Sequence, residues 1–159
     1  MIFVRAKWKS LLLALAVPLA VGGLSALVTR NQMAAFSQLN QPPLSPPAWL
    51  FPVVWTVLFL LMGLASYLVG CSDADSLLIR RALTLYGLQL VVNFLWPILF
   101  FNGKVYFIAF LWLLLLWGLI LATMVQFARV RKSAAWLLLP YLLWVTFAGY
   151  LNLGIFLLN

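Results

Sequence analysis

Gln89, Asn93 and Trp96 stand at i, i+4 and i+7, and Tyr141, Trp144, Ala148 and Asn152 at i, i+3, i+7 and i+11. Trp55, Phe59 and Met62 repeat the first spacing. Residues so spaced share one side of a helix. Each stripe lies in an otherwise apolar stretch, and the stripes hold nearly all the polar side chains found at membrane depth. An amide turned towards lipid tails leaves hydrogen-bonding groups unmet, so such groups face a protein interior or a cavity. Two readings follow. The stripes line a site where tryptophan rings supply stacking area and amides bond a ligand's polar edge, or the amides are glue between helices.

The residue types narrow the chemistry. The chain has no histidine, and its only acids are Asp73 and Asp75. No acid or base that titrates near neutrality lies within the apolar stretches, so general acid–base catalysis, a hydrolytic triad and a proton relay all lack their groups. Clustered metal ligands are missing, and so is a phosphate-cradling loop followed by lysine. No metal or cofactor is expected. Tryptophan, tyrosine, asparagine and glutamine remain.

The elements that position these residues follow from composition. Of 159 residues, 67% are hydrophobic and 8% charged, and the mean hydropathy is +1.13. A soluble domain of this size cannot keep so apolar a surface. A spanning helix needs about 20 apolar residues. Five stretches qualify: 11–29, 49–70, 77–101, 105–128 and 133–158. Only the third carries charges, Arg80 and Arg81 near its start. The expectation is an all-α integral membrane protein, a five-transmembrane-helix bundle in which residues 1–159 form a single membrane domain.

The net charge of +8 is not a nucleic-acid signal, because the basic residues lie at helix ends. Eight (Arg5, Lys7, Lys9, Arg80, Arg81, Arg129, Arg131 and Lys132) fall on one side of the membrane, and Arg30 and Lys104 fall on the other. The positive-inside rule therefore places the N-terminus in the cytoplasm and the C-terminus outside. A bacterial cytoplasmic membrane is the expected location, with anionic headgroup lipids as neighbours of the basic clusters. The first apolar stretch is too long for a cleaved leader. Cys71 is the only cysteine, which rules out an intrachain disulfide.

The connection 31–48 is the only long one, and Pro42, Pro43, Pro46 and Pro47 stiffen it. It is either a lid over the bundle or a rigid connector. Pro47 suits the first turn of the next helix. Asp73 or Ser76 is placed to cap the third helix. Asn102-Gly103 is a turn that makes helices three and four antiparallel neighbours. The fourth span reads as a lipid-facing or packing helix. Gly22-Gly23, Gly63 and Gly87 are candidate close-approach points. Trp8, Trp49 and Trp136 lie at span ends, where interfacial aromatics are ordinary.

Residues 40–55 read Asn-Gln-Pro-Pro-Leu-Ser-Pro-Pro-Ala-Trp-Leu-Phe-Pro-Val-Val-Trp. This segment resembles the first-loop and second-helix signature of the tryptophan-rich sensory protein family, which includes the mitochondrial translocator protein, or peripheral benzodiazepine receptor. Met62-Gly63 and Tyr67 continue the likeness. Gln89-Leu90, Asn93, Trp96-Pro97 and Phe100-Phe101 are similar to its third-helix pattern. Pro140-Tyr141-Leu142, Trp144, Phe147-Ala148 and Leu151-Asn152 are similar to its fifth-helix pattern. The resemblance implies a five-helix bundle, often a homodimer, with a ligand cavity beneath the first loop. It implies ligands such as porphyrins, sterols and benzodiazepine-type molecules. Carried over by position, the ligand-binding residues are Pro46, Trp55, Phe59, Asn93, Trp96, Trp144 and Ala148, with Asn152 added.

The sequence departs from the family pattern at Gln41 (a lysine there), Leu44 (a tryptophan) and Phe59 (often a tyrosine). No basic residue follows Tyr150, so the sterol motif of animal members is incomplete. A porphyrin-type tetrapyrrole, or another flat apolar small molecule, is expected ahead of cholesterol. The leading reading is a receptor or carrier of such a molecule with a regulatory or trafficking role. The alternatives are light-dependent porphyrin degradation at Trp55 and Trp144, which needs no acid or base, and a purely structural bundle.

Overall fold

The computed structural model describes residues 2–159, with side chains from Trp8 onward. The side chains of Arg5 and Lys7, counted above in the N-terminal basic cluster, lie outside the described residues. Helix α1 (Ile2–Thr29) runs through a 3-10 turn (Arg30–Gln32) into short α2 (Met33–Ser37). Then come α3 (Leu50–Gly70), α4 (Ser76–Pro97) with a π turn at Ile98–Asn102, α5 (Tyr106–Val130), α6 (Lys132–Leu137) and α7 (Leu139–Leu158). Five helical stretches are long and apolar enough to cross a membrane: Trp8–Ser37, Leu50–Gly70, Ser76–Asn102, Tyr106–Val130 and Lys132–Leu158. The chain is an all-α integral membrane protein. Leu13, Leu143 and Leu157 are among many large apolar side chains left exposed, as a lipid-facing surface requires.

Around the bundle α1 lies between α3 and α4, α4 packs on α5, α5 on α7, and α6 returns to α3. The closest approach of α1 to α3 is set by Gly63, where a Cβ would stand 2.6 Å from the Ala14 carbonyl oxygen and 2.8 Å from Leu15 Cα. Gly22 receives the ring of Phe59, whereas Gly23 and Gly87 meet nothing within 4 Å. Of the candidate close-approach points, then, Gly22 and Gly63 act within the chain. The core centres on Met62, Ala65, Val69, Ala82, Ile120, Phe127 and Tyr141. Helix α5 is a packing helix: Trp112 Nε1 donates to the Val92 carbonyl of α4 at 2.8 Å and Trp117 Nε1 to Thr146 Oγ1 of α7 at 2.9 Å.

Four local expectations are corrected. The first loop is partly helical, because residues 30–37 hold no proline or glycine and include Met33, Ala34 and Ala35, which favour a helix. Only residues 38–49 form a non-helical strap. Neither Asp73 nor Ser76 caps α4; Asp75 occupies the N-cap position without a side-chain bond, and Ser72 Oγ instead accepts from Ala74 N–H at 3.1 Å. The residue in the left-handed region of the third connection is Lys104 (φ 54°), one step after the Asn-Gly pair. Pro47 precedes α3 instead of sitting within its first turn, and its carbonyl accepts from Leu50 N–H at 3.0 Å.

The Gly63 contact generates a paired prediction. Gly63→Ala should lower stability by about 1–3 kcal/mol, since backbone atoms of α1 cannot swing aside. Gly87→Ala should be neutral or stabilising by up to about 1 kcal/mol from helix propensity. Thermal unfolding of both variants in one detergent checks the contrast, and equal melting temperatures would contradict it.

Candidate ligand site between three helix faces

The three stripes meet. Tyr141 of α7 is 1% exposed. Its hydroxyl donates to Gln89 Oε1 at 2.7 Å and accepts from Asn93 Nδ2 at 2.6 Å, so one oxygen joins two amides of α4. A hydroxyl both donates and accepts, which lets it sit between a carbonyl and an NH2 group. The ring of Trp55 meets that of Tyr141 edge-on, with centroids 6.2 Å apart, and lies 5.5 Å from that of Phe59.

One turn further along α4 and three turns further along α7, Trp96 Nε1 donates to Asn152 Oδ1 at 3.0 Å, and Asn152 Nδ2 donates to the Tyr106 carbonyl at 2.8 Å. Asn152 thereby clasps α4, α5 and α7 together. The Trp96 ring stacks on Phe100 at 5.3 Å. Between the two polar clusters on α7 lie Trp144, half-buried and 5.8 Å from Phe51, and Ala148, buried.

The contacts of α7 with α3 and α4 are long side chains reaching between helices whose backbones are not close partners. The close backbone pairs of α7 are α5 and α6, not α3 or α4. Its separation from α3 and α4 is spanned by tyrosine, tryptophan and amide groups. The face is not fully satisfied: Gln89 Nε2 and Trp144 Nε1 are buried N–H donors without partners, and so is the Tyr86 hydroxyl. Leaving such a group unpaired costs about 1–3 kcal/mol.

Pro46 sits half-buried in the strap. The strap is tied to the last turns of α7. Tyr150 donates its hydroxyl proton to the Pro43 carbonyl at 2.7 Å. Asn40 N–H donates to Asn159 Oδ1 at 3.1 Å, while Asn159 Nδ2 returns a bond to the Asn40 carbonyl at 2.8 Å. Pro42 packs on Gly154, where a Cβ would come within 2.6 Å of its ring. Leu44, at φ 68°, is 82% exposed and turns away from the bundle.

The structure thus brings Trp55, Phe59, Asn93, Trp96, Ala148 and Asn152 to facing sides of α3, α4 and α7. The polar atoms that bind Asn93, Trp96 and Asn152 into the bundle are already engaged. Sequence reasoning omitted Phe51 from the site, although it stands one turn before Trp55 on the same face. It also left Gln89 and Tyr141 out of the ligand-binding set. The strap anchors Tyr150, Gly154 and Asn159 were missed too, and no local signal marks them. Among the described residues no group of three His, Cys, Asp or Glu side chains could hold a metal.

Residues 14–158 match the TspO/MBR family. Tryptophan-rich protein TspO of Chlorobaculum tepidum is 38% identical over 151 residues, covering 94% of this chain and 96% of that one. Translocator protein of Bos taurus is 36% identical over 141 residues, 86% of this chain and 82% of the relative. Tryptophan-rich sensory protein of Cereibacter sphaeroides is 36% identical over 124 residues, 78% and 76% of the two.

Tyr141→Phe removes one oxygen and strips two cross-helix bonds, leaving Asn93 and Gln89 each with a lost partner. The expected cost is about 1–2 kcal/mol, given about 0.6 kcal/mol for an average bond between membrane helices and more for a stranded buried group. Denaturation in mixed micelles measures it. An unshifted transition would show that the two amides find other partners.

Proposed function

This chain belongs to the TspO/MBR family, and from that premise we propose that it is a membrane receptor or carrier. Its ligand is a flat, largely apolar molecule of the porphyrin type, held between α3, α4 and α7 beneath the strap. The observation that carries the reading is the pair of buried, unpartnered N–H donors, Gln89 Nε2 and Trp144 Nε1, set on a face of aromatic rings. Both are donors only, so an occupant that accepts hydrogen bonds recovers what their burial costs. A tetrapyrrole with carboxylate or carbonyl groups at its edge has such acceptors, and its macrocycle gives the rings of Trp55, Phe59 and Trp144 a flat partner. Ala148 leaves room for close approach. Asn93, Trp96 and Asn152 form walls whose polar atoms hold the helices in place, and Pro46 closes the site from the strap.

The competing reading is a bundle in which the amides only join helices. The bonds of Tyr141 and Asn152 favour it. A titration with protoporphyrin IX in the dark, followed by tryptophan fluorescence of the purified protein, separates the two. Saturable quenching is expected, with Trp144→Phe weakening affinity by about tenfold for the loss of one buried hydrogen bond and its stacking area. Folded wild-type protein that shows no saturable quenching would favour the structural reading.

We also propose that the C-terminal ends of α1, α4 and α7 face outward, with the connection between α3 and α4 in the cytoplasm, as the distribution of basic residues argues. Cys71 is exposed in that connection and is the only cysteine. A membrane-impermeant maleimide should leave it unlabelled in intact cells and label it after permeabilisation. In a Cys71→Ser background, Asn159→Cys should behave in the opposite way. The reverse pattern would invert the topology.

A further inference from the structure

A groove of about 570 Å³ lies apart from the three facing stripes, where the start of α5 meets the end of α7. Its walls are the apolar side chains of Val105, Phe107, Ile108 and Phe156, and Lys104 stands at its rim. Phe107 and Phe156 are 48% and 42% exposed, and their ring centroids are 5.2 Å apart. The volume falls within the range of small-molecule sites, about 300–1,000 Å³.

Its position makes it amphipathic. Lys104 lies in the connection between two spans, while the apolar walls stand at the first turn of α5 and the last turn of α7. The acidic side chains of the chain, Asp73 and Asp75, sit in the connection at the opposite ends of the helices, away from this lysine. The backbone at Lys104 is in the left-handed region, at φ 54°. That is an uncommon conformation for a residue with a side chain, and it is taken up here by the one residue of the groove that carries a cation.

From this combination we propose that the groove is a binding site for one anionic phospholipid of the surrounding membrane, distinct from the porphyrin-type site. The phosphate lies against the Lys104 ammonium, and an acyl chain runs along Phe107, Ile108 and Phe156. A zwitterionic lipid shares the apolar contact, but its own cation offsets the attraction to Lys104. The groove also bears on the rest of the bundle. Tyr106, in its lining, gives its carbonyl to the Asn152 clasp, and Asn159, also in its lining, holds the strap at Asn40.

The test uses the full chain in nanodiscs doped with phosphatidylglycerol or phosphatidylcholine, each bearing a diazirine in one acyl chain. Crosslinks are mapped by peptide mass spectrometry, which separates this groove from the basic clusters at the other membrane face. Phosphatidylglycerol should label residues 105–108 and Phe156 about fivefold more than phosphatidylcholine, the preference that one basic residue near a membrane surface supplies. Lys104→Gln should reduce labelling by phosphatidylglycerol to the phosphatidylcholine level, and Lys104→Arg should retain the preference. Equal labelling by the two lipids in the wild type would overturn the proposal. So would a preference that survives in Lys104→Gln.

Discussion

Inside a bilayer there is no water to satisfy a stray N–H or C=O, so each polar side chain must find its partner within the protein. The amides of α4 and α7 meet this demand through a single oxygen and a single clasp. The Tyr141 hydroxyl stands between Gln89 and Asn93, and Asn152 stands between the Trp96 indole and the Tyr106 carbonyl. These bonds fix how far α7 stands from α4 and in which rotation. Every other feature of the aromatic face depends on that spacing. Were α7 to close directly on α3 and α4, the rings of Trp55, Phe59 and Trp144 would have no place between the helices.

Small residues and large ones divide the bundle into two kinds of contact. Where α1 meets α3, Gly63 lets backbone approach backbone, the tight mode of membrane helices. Where α7 meets α3 and α4, side chains of the largest kind bridge the distance. The second kind of contact leaves polar atoms over: Gln89 Nε2 and Trp144 Nε1 are buried there without partners.

The far ends of α4, α5 and α7 form a connected layer. The strap is stitched to α7 by Tyr150, Gly154 and Asn159. Phe36, Phe100, Phe101 and Tyr106 close into an aromatic cluster around the π turn after Pro97. Asn102 Nδ2 donates to the Val28 carbonyl at 3.2 Å and so ties that turn to α1. Tyr106 and Asn159, which line the groove, also join the Asn152 clasp and the strap.

The sequence by itself determined the class, the number of spans and the faces that turn inward. Hydropathy sets where a chain crosses a bilayer, and helical periodicity assigns Gln89, Asn93, Trp96, Tyr141 and Asn152 to shared faces whatever the neighbouring helix is. Trp8, Trp49 and Trp136, which it placed at span ends, are largely exposed. Only the tertiary structure decided which amide meets which partner, because an asparagine on an inward face bonds equally well to a ligand, a backbone carbonyl or a tyrosine. The anchors of the strap were beyond reach for a related reason. Asn40 and Asn159 are 119 residues apart in the chain, and their pairing follows from where α7 ends relative to α2. Local pattern reports the face of a helix; the distance between two faces is set by all the helices at once.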